Sequence, residues 1–390
     1  MATINYLTTV EFDFGVVAKL GDGIRALGVR RPMLVTDSGL AGSEVMARAL
    51  DALGKVRPVI FDRTPQNPDE QAVEDAVTLY AANGCDGVIA LGGGSPIDLG
   101  KAVALLATHA APLEHYALIG GGLAKITAKV APLIAIPTTA GTGSEVGRGA
   151  LITLKDGRKL GFISPHMIPK IAICDPELTL GLPPRLTAAT GMDALTHCIE
   201  TYLSPRVNPP ADAIALDGAA RAARWIRDAV DDGGNRDARW NMMMAALQGG
   251  LTFQKGLGAV HSMSHPLGGL KTPVLHHGTL NAVVLPAVLR FNATHVAEKI
   301  FALEVVMNVP QSSDLASFVE ALNADLGLPR TLRAMGVTED MIPGMIDGAL
   351  KDHSTATNPR ALTREDFEGL FAEAMGPALT RPEALIKETT

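Results

Sequence analysis

Three clusters in the second half of the chain have the residue types that hold a divalent cation: Asp193 with His197, His261 with His265, and the adjacent His276 and His277. The first two pairs are spaced four apart on stretches that read as helix, so each pair projects from one helical face. An isolated Asp/His pair at that spacing is an ordinary surface ion pair. Here, however, half of the chain's 10 histidines fall in these three segments, which favours a metal site. No Glu follows His261, so the zincin pattern is absent. Spacing alone leaves open which of His261, His265, His276 and His277 bind. About a hundred residues upstream, Gly92-Gly93-Gly94-Ser95-Pro96-Ile97-Asp98 stands at a strand–helix junction. Backbone N–H groups and the positive helix end can face a pyrophosphate there, although the string is not the G-x-G-x-x-G fingerprint. A nucleotide cradle and a metal cage in one chain point first to hydride transfer between a nicotinamide and an alcohol whose oxygen the metal polarises.

Two further features suit a nucleotide. Asp37 ends the first clear strand, where a carboxylate can accept both hydroxyls of an adenosine ribose and repel a 2′-phosphate; its bland alternative is a solvated loop aspartate. Thr138-Thr139-Ala140-Gly141-Thr142-Gly143-Ser144-Glu145 follows another strand and offers hydroxyls and backbone donors.

The elements that must position these groups change character along the chain. Up to about residue 180, apolar runs alternate with helical stretches. Strands are expected at Met33–Thr36, Gly87–Leu91, Leu133–Pro137 and Ile171–Cys174, with a hairpin turning at Asp156-Gly157. Asn67-Pro68 reads as the cap and first turn of a helix that Gly84 ends. Beyond Leu182-Pro183-Pro184 the pattern is helical: 186–203, 210–231, 238–254, 279–291 and shorter segments to Met375. The expected fold is an α/β dinucleotide-binding domain over 1–180, Rossmann-like with a mostly parallel sheet, followed by an all-α metal-binding and substrate domain over 181–390.

Bulk properties fit two cores. The 390 residues exceed the usual size of one core, and 47% are hydrophobic against 19% charged. A formal charge of −7 argues against a nucleic-acid surface. No stretch approaches the ~18 apolar residues of a membrane span. Met1–Asn5 lacks a basic segment leading into an apolar core, so no signal peptide is expected. Three scattered cysteines fit no disulfide framework or thiolate zinc site, and a cytoplasmic protein is expected.

Taken together and in order, the glycine string, Thr138–Val146, Gly191–His197, Val260–Gly269, His277-Gly278 and Asn358-Pro359-Arg360 resemble the iron-containing (group III) alcohol dehydrogenases over nearly the whole chain. The finer strings Arg148–Ala150, Asp156–Phe162, Asp175–Pro183 and Phe253–Gly258 resemble the members acting on 4-hydroxybutyrate, which reduce succinic semialdehyde reversibly. The resemblance implies that Asp193, His197, His261 and His277 ligate Fe²⁺ or Zn²⁺, while His265 lies near the nicotinamide. A proton must also leave, and His265 or a water it holds is the expected carrier. It implies NAD contacts from Gly93, Gly94, Ser95 and Asp98, from Thr138, Thr139, Thr142 and Ser144, and from Asp37, with Asn67 and Lys159 in addition. A substrate carboxylate is expected to meet Arg148 or Lys255, beside Gly149 and Leu257. A homodimer or higher homo-oligomer follows from the same resemblance.

Three rival readings are open to the sequence. One is another short-chain alcohol or diol as substrate. Another is a non-redox lyase of the dehydroquinate-synthase-like fold. That lyase needs Lys and Arg clustered beside the metal, whereas 256–269 and 279–286 are apolar. The third is a non-catalytic nucleotide-binding protein, which would not be expected to carry a full ligand set.

Overall fold

The computed structural model describes residues 8–377. The expectations placed on Met1–Asn5 and on the last residues of the helical half lie outside them.

The chain forms two compact units. The first is built on a six-stranded sheet whose neighbouring strands all pair parallel. Its strands are β1 (Thr9–Phe12), β2 (Pro32–Val35), β3 (Val59–Phe61), β4 (Gly87–Gly92), β5 (Leu133–Pro137) and β8 (Ile171–Cys174), in the order β1-β8-β5-β4-β2-β3. Between β5 and β8 the chain makes an antiparallel hairpin of β6 (Gly149–Thr153) and β7 (Lys159–Ile163), with Gly157 at φ 90° in the turn.

A sheet covered on both faces explains the unbroken apolar runs of the central strands. Met33, Val35, Val88, Ala90, Leu133 and Ala135 face one core, with residues of α3 (Glu70–Ala82) and α4 (Gly94–Leu106). Their neighbours Leu34, Ile89, Leu91, Ile134 and Ile136 face the other, with α1 (Leu20–Ala26) and α2 (Glu44–Ala52).

The connections reverse at one place. The chain steps outward from β2 to β3, then returns past β2 to β4 and continues the other way through β5. In open parallel sheets the crevice at the carboxyl ends beside such a reversal is where ligands bind. Asp37 follows β2 and Gly93 follows β4, so the two flank that crevice.

One helix start differs from the sequence reading. The N-cap of α3 is Asp69, whose carboxylate accepts the amide of Ala72 at 2.8 Å. Asn67 instead accepts a hydrogen bond from Lys159 Nζ at 3.1 Å.

The second unit is helical and includes α5 (Pro184–Leu203), α6 (Pro209–Asp231), α8 (Ala259–Gly268), α9 (His277–Asn292), α10 (Ala297–Val306), α11 (Leu315–Asp325), α12 (Ile342–Lys351) and α13 (Arg364–Met375). The segment Gly233–Leu251, read above as part of the helical half, belongs to the sheet's unit instead. It holds nearly all of α7 (Arg236–Thr252). Trp240 meets Phe12 edge-on at 5.1 Å, and Arg236 pairs with Glu177 at 3.0 Å. Gly250 crosses Gly143 so closely that a Cβ on Gly143 would lie 2.4 Å from Gly250 Cα. Among the described residues, no helix is long and apolar enough to cross a membrane.

Candidate active site

The helical unit gathers the first two histidine clusters and His277 around one buried point. Asp193 and His197 occupy the same face of α5, His261 lies in the first turn of α8, and His277 begins α9. Asp193, His197 and His261 are 2%, 5% and 1% exposed, and each offers a ligand atom within 4.8 Å of the other two. Nε2 of His261 is 3.0 Å from Nε2 of His197, and Nε2 of His277 is 3.7 Å from Asp193 Oδ1. Ligands about 2.1 Å from a tetrahedral ion stand about 3.4 Å apart, so these spacings fit one small divalent cation. Nδ1 of His197 and Oδ1 of Asn281 are buried with no hydrogen-bond partner, as befits a pocket whose polarity is directed at an ion. His277 can lie beside Asp193 because a glycine follows it: a Cβ on Gly278 would sit 2.2 Å from the carbonyl oxygen of Ala189 on α5. His276 is the N-cap residue of α9.

Around the ligands stands a layer that sequence reasoning missed. Asn281, one turn after His277, donates to Asp193 Oδ1 at 2.7 Å and lies 3.3 and 3.2 Å from Nε2 of His261 and His277. Glu200 Oε2 is 2.6 Å from His261 Nδ1. Burial pushes the Glu200 carboxyl up to about 7, against the pull of amides at the start of α8. Burial, with His197 and His265 adjoining, holds His261 well below the ordinary imidazole range and keeps it in the neutral form that ligates. The available signal was spacing: Glu200 is seven residues from Asp193, and Asn281 is four from His277, so each shares a helix face with a ligand.

His265 is held by a carboxylate. Its Nδ1 is 2.8 Å from Asp352 Oδ2, and its ring stacks on His277 and His353 at 5.6 and 5.8 Å. Burial would raise the Asp352 carboxyl, but the imidazole of His265 facing it, through their hydrogen bond, outweighs burial and holds it below the usual carboxylate range.

The nucleotide candidates collect at the carboxyl edge of the parallel sheet. Asp37 Oδ1 accepts the amides of Gly39 and Leu40 at 2.9 and 3.1 Å, which pins the carboxylate and leaves Oδ2 for a ligand. α4 begins at Gly94 behind Gly93, with no side-chain cap, so its first amides remain for an anion. Ser95 Oγ donates to the carbonyl of Gln66. Thr138 is buried at the end of β5, and Thr139 and Thr142 are half-buried. Ser144 and Asp98 are bonded internally. Ser144 donates to Asp98 at 2.6 Å, Leu151 N donates to Asp98 at 2.9 Å, and buried Lys101 donates to Ser144 Oγ and to the Gly149 carbonyl, both at 2.7 Å. They brace the loop. Burial lowers the Lys159 ammonium to about 8.

Of the two basic residues nominated for a substrate carboxylate, Lys255 is corrected. It is 3% exposed and donates to the carbonyls of Thr201 at 2.9 Å and Tyr202 at 3.2 Å, and to Asp212. An ammonium has three donors, and all three are used, two at the end of α5 and one on Asp212 of α6. Lys255→Met is therefore expected to destabilise the fold by about 3 kcal/mol, measured by denaturant unfolding, with substrate preference unchanged. Arg148 precedes β6 with its carbonyl bonded to Ser164 N at 3.0 Å, and Leu257 precedes α8 with its carbonyl bonded to Thr357 Oγ1 at 2.6 Å.

Comparison with known proteins defines the class. Residues 8–176 match the family described as iron-containing alcohol dehydrogenase, and 187–375 match the C-terminal region of the Fe-containing alcohol dehydrogenase family. The chain belongs to this family and is an oxidoreductase. It is 56% identical over 382 residues to the 4-hydroxybutyrate dehydrogenase of Cupriavidus necator, covering 96% of this chain and all of that one. It is 37% identical over 377 residues to the 1,3-propanediol dehydrogenase of Klebsiella pneumoniae, covering 93% and 96%. A crystal structure of 1,3-propanediol oxidoreductase superposes with TM-score 0.89 at 35% identity, covering 96% of this chain and 100% of that one. The sulfoacetaldehyde reductase of Bifidobacterium kashiwanohense, solved in complex with NAD⁺, superposes with TM-score 0.88 at 27% identity, covering 97% and 100%.

Proposed function

We propose that this protein interconverts 4-hydroxybutyrate and succinic semialdehyde, using NAD and one divalent ion, Fe²⁺ or Zn²⁺, as a cytoplasmic homo-oligomer. The observation that carries the reaction type is the convergence of buried Asp193, His197 and His261, with partly exposed His277 placed 3.7 Å from Asp193 Oδ1. The choice of substrate draws its support from the 56% identity to the Cupriavidus necator enzyme. With three imidazoles and one carboxylate, the site suits a borderline cation, and zinc generally binds more tightly than ferrous iron, so supply helps decide which is held.

When bound, the cation supplies Lewis acidity at the substrate oxygen, and NAD supplies the hydride-accepting carbon. The chain's own part is to hold, orient and move a proton. Burial of Asp193, His197 and His261 excludes water from one side of the centre. His265 donates its Nδ1 proton to Asp352, which leaves Nε2 to accept the proton that the alcohol gives up. Asp352 stabilises the imidazolium that results, and exposed His353, 3.7 Å from Asp352 Oδ1, leads toward solvent. No covalent nucleophile is needed.

Initial rates, followed by NADH absorbance across short ω-hydroxy acids, diols and plain alcohols, test the proposal. 4-Hydroxybutyrate is expected to give the highest kcat/KM, and a diol or plain alcohol exceeding it would overturn the substrate assignment.

Asp37 sets the expected cofactor preference. A 2′-phosphate at the end of β2 would meet a like charge, so NAD(H) is expected to be favoured over NADP(H) by at least about tenfold. Asp37→Gly is expected to narrow that ratio, mostly by improving kcat/KM for NADP(H). Equal specificity constants in the parent enzyme would remove Asp37 from the role.

A further inference from the structure

α5 carries one more polar side chain on the face that presents Asp193 and His197. Glu200 follows His197 by three residues and is 4% exposed. Its two oxygens have separate partners: Oε1 accepts the backbone N–H of Val260 at 2.7 Å, and Oε2 meets Nδ1 of His261 at 2.6 Å. The ten-residue helix α8 has no side-chain cap at Gly258. Glu200 thus supplies from another helix the acceptor that a local serine or aspartate would supply. Gly258 permits this approach, since a Cβ there would lie 2.9 Å from both Glu200 Oε1 and Asn358 Oδ1.

A neutral imidazole has one N–H and one lone pair. With Nδ1 donating to Glu200, the lone pair of His261 must sit on Nε2. That atom lies 3.0 Å from Nε2 of His197 and 3.3 Å from Nδ2 of Asn281, inside the ligand cluster.

We propose that Glu200 is a positioning residue of the metal centre: by accepting the Nδ1 proton of His261 and the amide of Val260, it fixes the ring's tautomer and rotation so that Nε2 is presented to the cation. Glu200 touches neither substrate nor cofactor in this role. A carboxylate that only capped α8 would place no demand on the tautomer of His261. This inference deepens the proposed function and rests on it only for the presence of a divalent ion. Its test reads metal binding, so the substrate assignment can fail without touching it.

Glu200→Gln keeps the side chain's size and an oxygen for Val260, but turns an N–H₂ group toward Nδ1 of His261. That favours the tautomer whose proton occupies Nε2. In the full-length variant, with folding verified by circular dichroism, Zn²⁺ affinity measured against a chromophoric chelator is expected to fall about 10- to 100-fold, the range for partners that orient a ligating histidine. A folded variant that binds Zn²⁺ as tightly as the parent overturns the proposal. A second measurement needs no variant. In Zn²⁺-loaded, ¹⁵N-histidine-labelled parent protein, the His261 ring is expected to carry its proton on Nδ1; a proton on Nε2 overturns the proposal equally.

Discussion

His261→Ala and His277→Ala are each expected to purify without bound metal and to turn over at least about 1,000-fold more slowly than the parent. Removing either imidazole takes away one of the four groups placed to hold the ion, and its neighbours are packed too closely to substitute. His261 is wedged between Glu200 at 2.6 Å and His197 at 3.0 Å, and His277 begins a helix seated directly on α5. His276→Ala is expected to keep both metal and turnover, because His276 is the residue before that helix. His265→Ala is expected to keep the metal and lose rate by about 10²- to 10⁴-fold, the usual contribution of a general acid or base. Metal analysis of the purified variants beside their rates decides the matter. Loss of metal from His276→Ala, with retention by His277→Ala, would contradict the ligand assignment.

The second large effect concerns the far end of the substrate. Burying the carboxylate of succinic semialdehyde without a partner would be costly, and a guanidinium grips a carboxylate through paired donors. With the ammonium of Lys255 committed to Thr201, Tyr202 and Asp212, Arg148 is the remaining nominated partner. Its five N–H donors allow a substrate contact alongside contacts within the protein. The parent enzyme is expected to prefer succinic semialdehyde over butanal by about 2–4 kcal/mol in kcat/KM, roughly 30- to 900-fold, as for one partner of a buried charge pair. Arg148→Met is expected to erase most of that preference while leaving butanal reduction nearly unchanged. Steady-state kinetics of both enzymes on both aldehydes provide the comparison. A variant that keeps the full preference would remove Arg148 from the substrate site.

What the sequence disclosed follows the range of the physics involved. Apolar runs bounded by turn residues placed Leu133–Pro137 and Ile171–Cys174 to the residue, and helical periodicity located α5, α6 and α9 within two residues at either end. The short edge strands β1 and β3 carry three or four residues and too little apolar pattern to stand out. Asn67 and Asp69 flank the same proline, both of cap type, and only the fold shows that Asp69 reaches the amide of Ala72. The helix read at 238–254 is found as α7 over Arg236–Thr252, but its packing partner depends on contacts such as Gly143 against Gly250, over a hundred residues apart. In the site, the clustered histidines were visible because ligand types are rare and conspicuous. Lys255 misled for the opposite reason. Two of its three acceptors are main-chain carbonyls left open at the end of α5, and backbone acceptors leave no mark in a sequence. Glu200 and Asn281 were hidden among ordinary helix residues until α8 and α9 were laid against α5.

The most direct test strips the purified protein with a chelator, then restores Fe²⁺ or Zn²⁺ and follows NADH consumption with succinic semialdehyde. The predicted result is loss of turnover on stripping, and recovery in proportion to metal restored, up to one ion per chain. Full turnover in protein shown to be metal-free, or no turnover of the semialdehyde at any metal loading, would contradict the account.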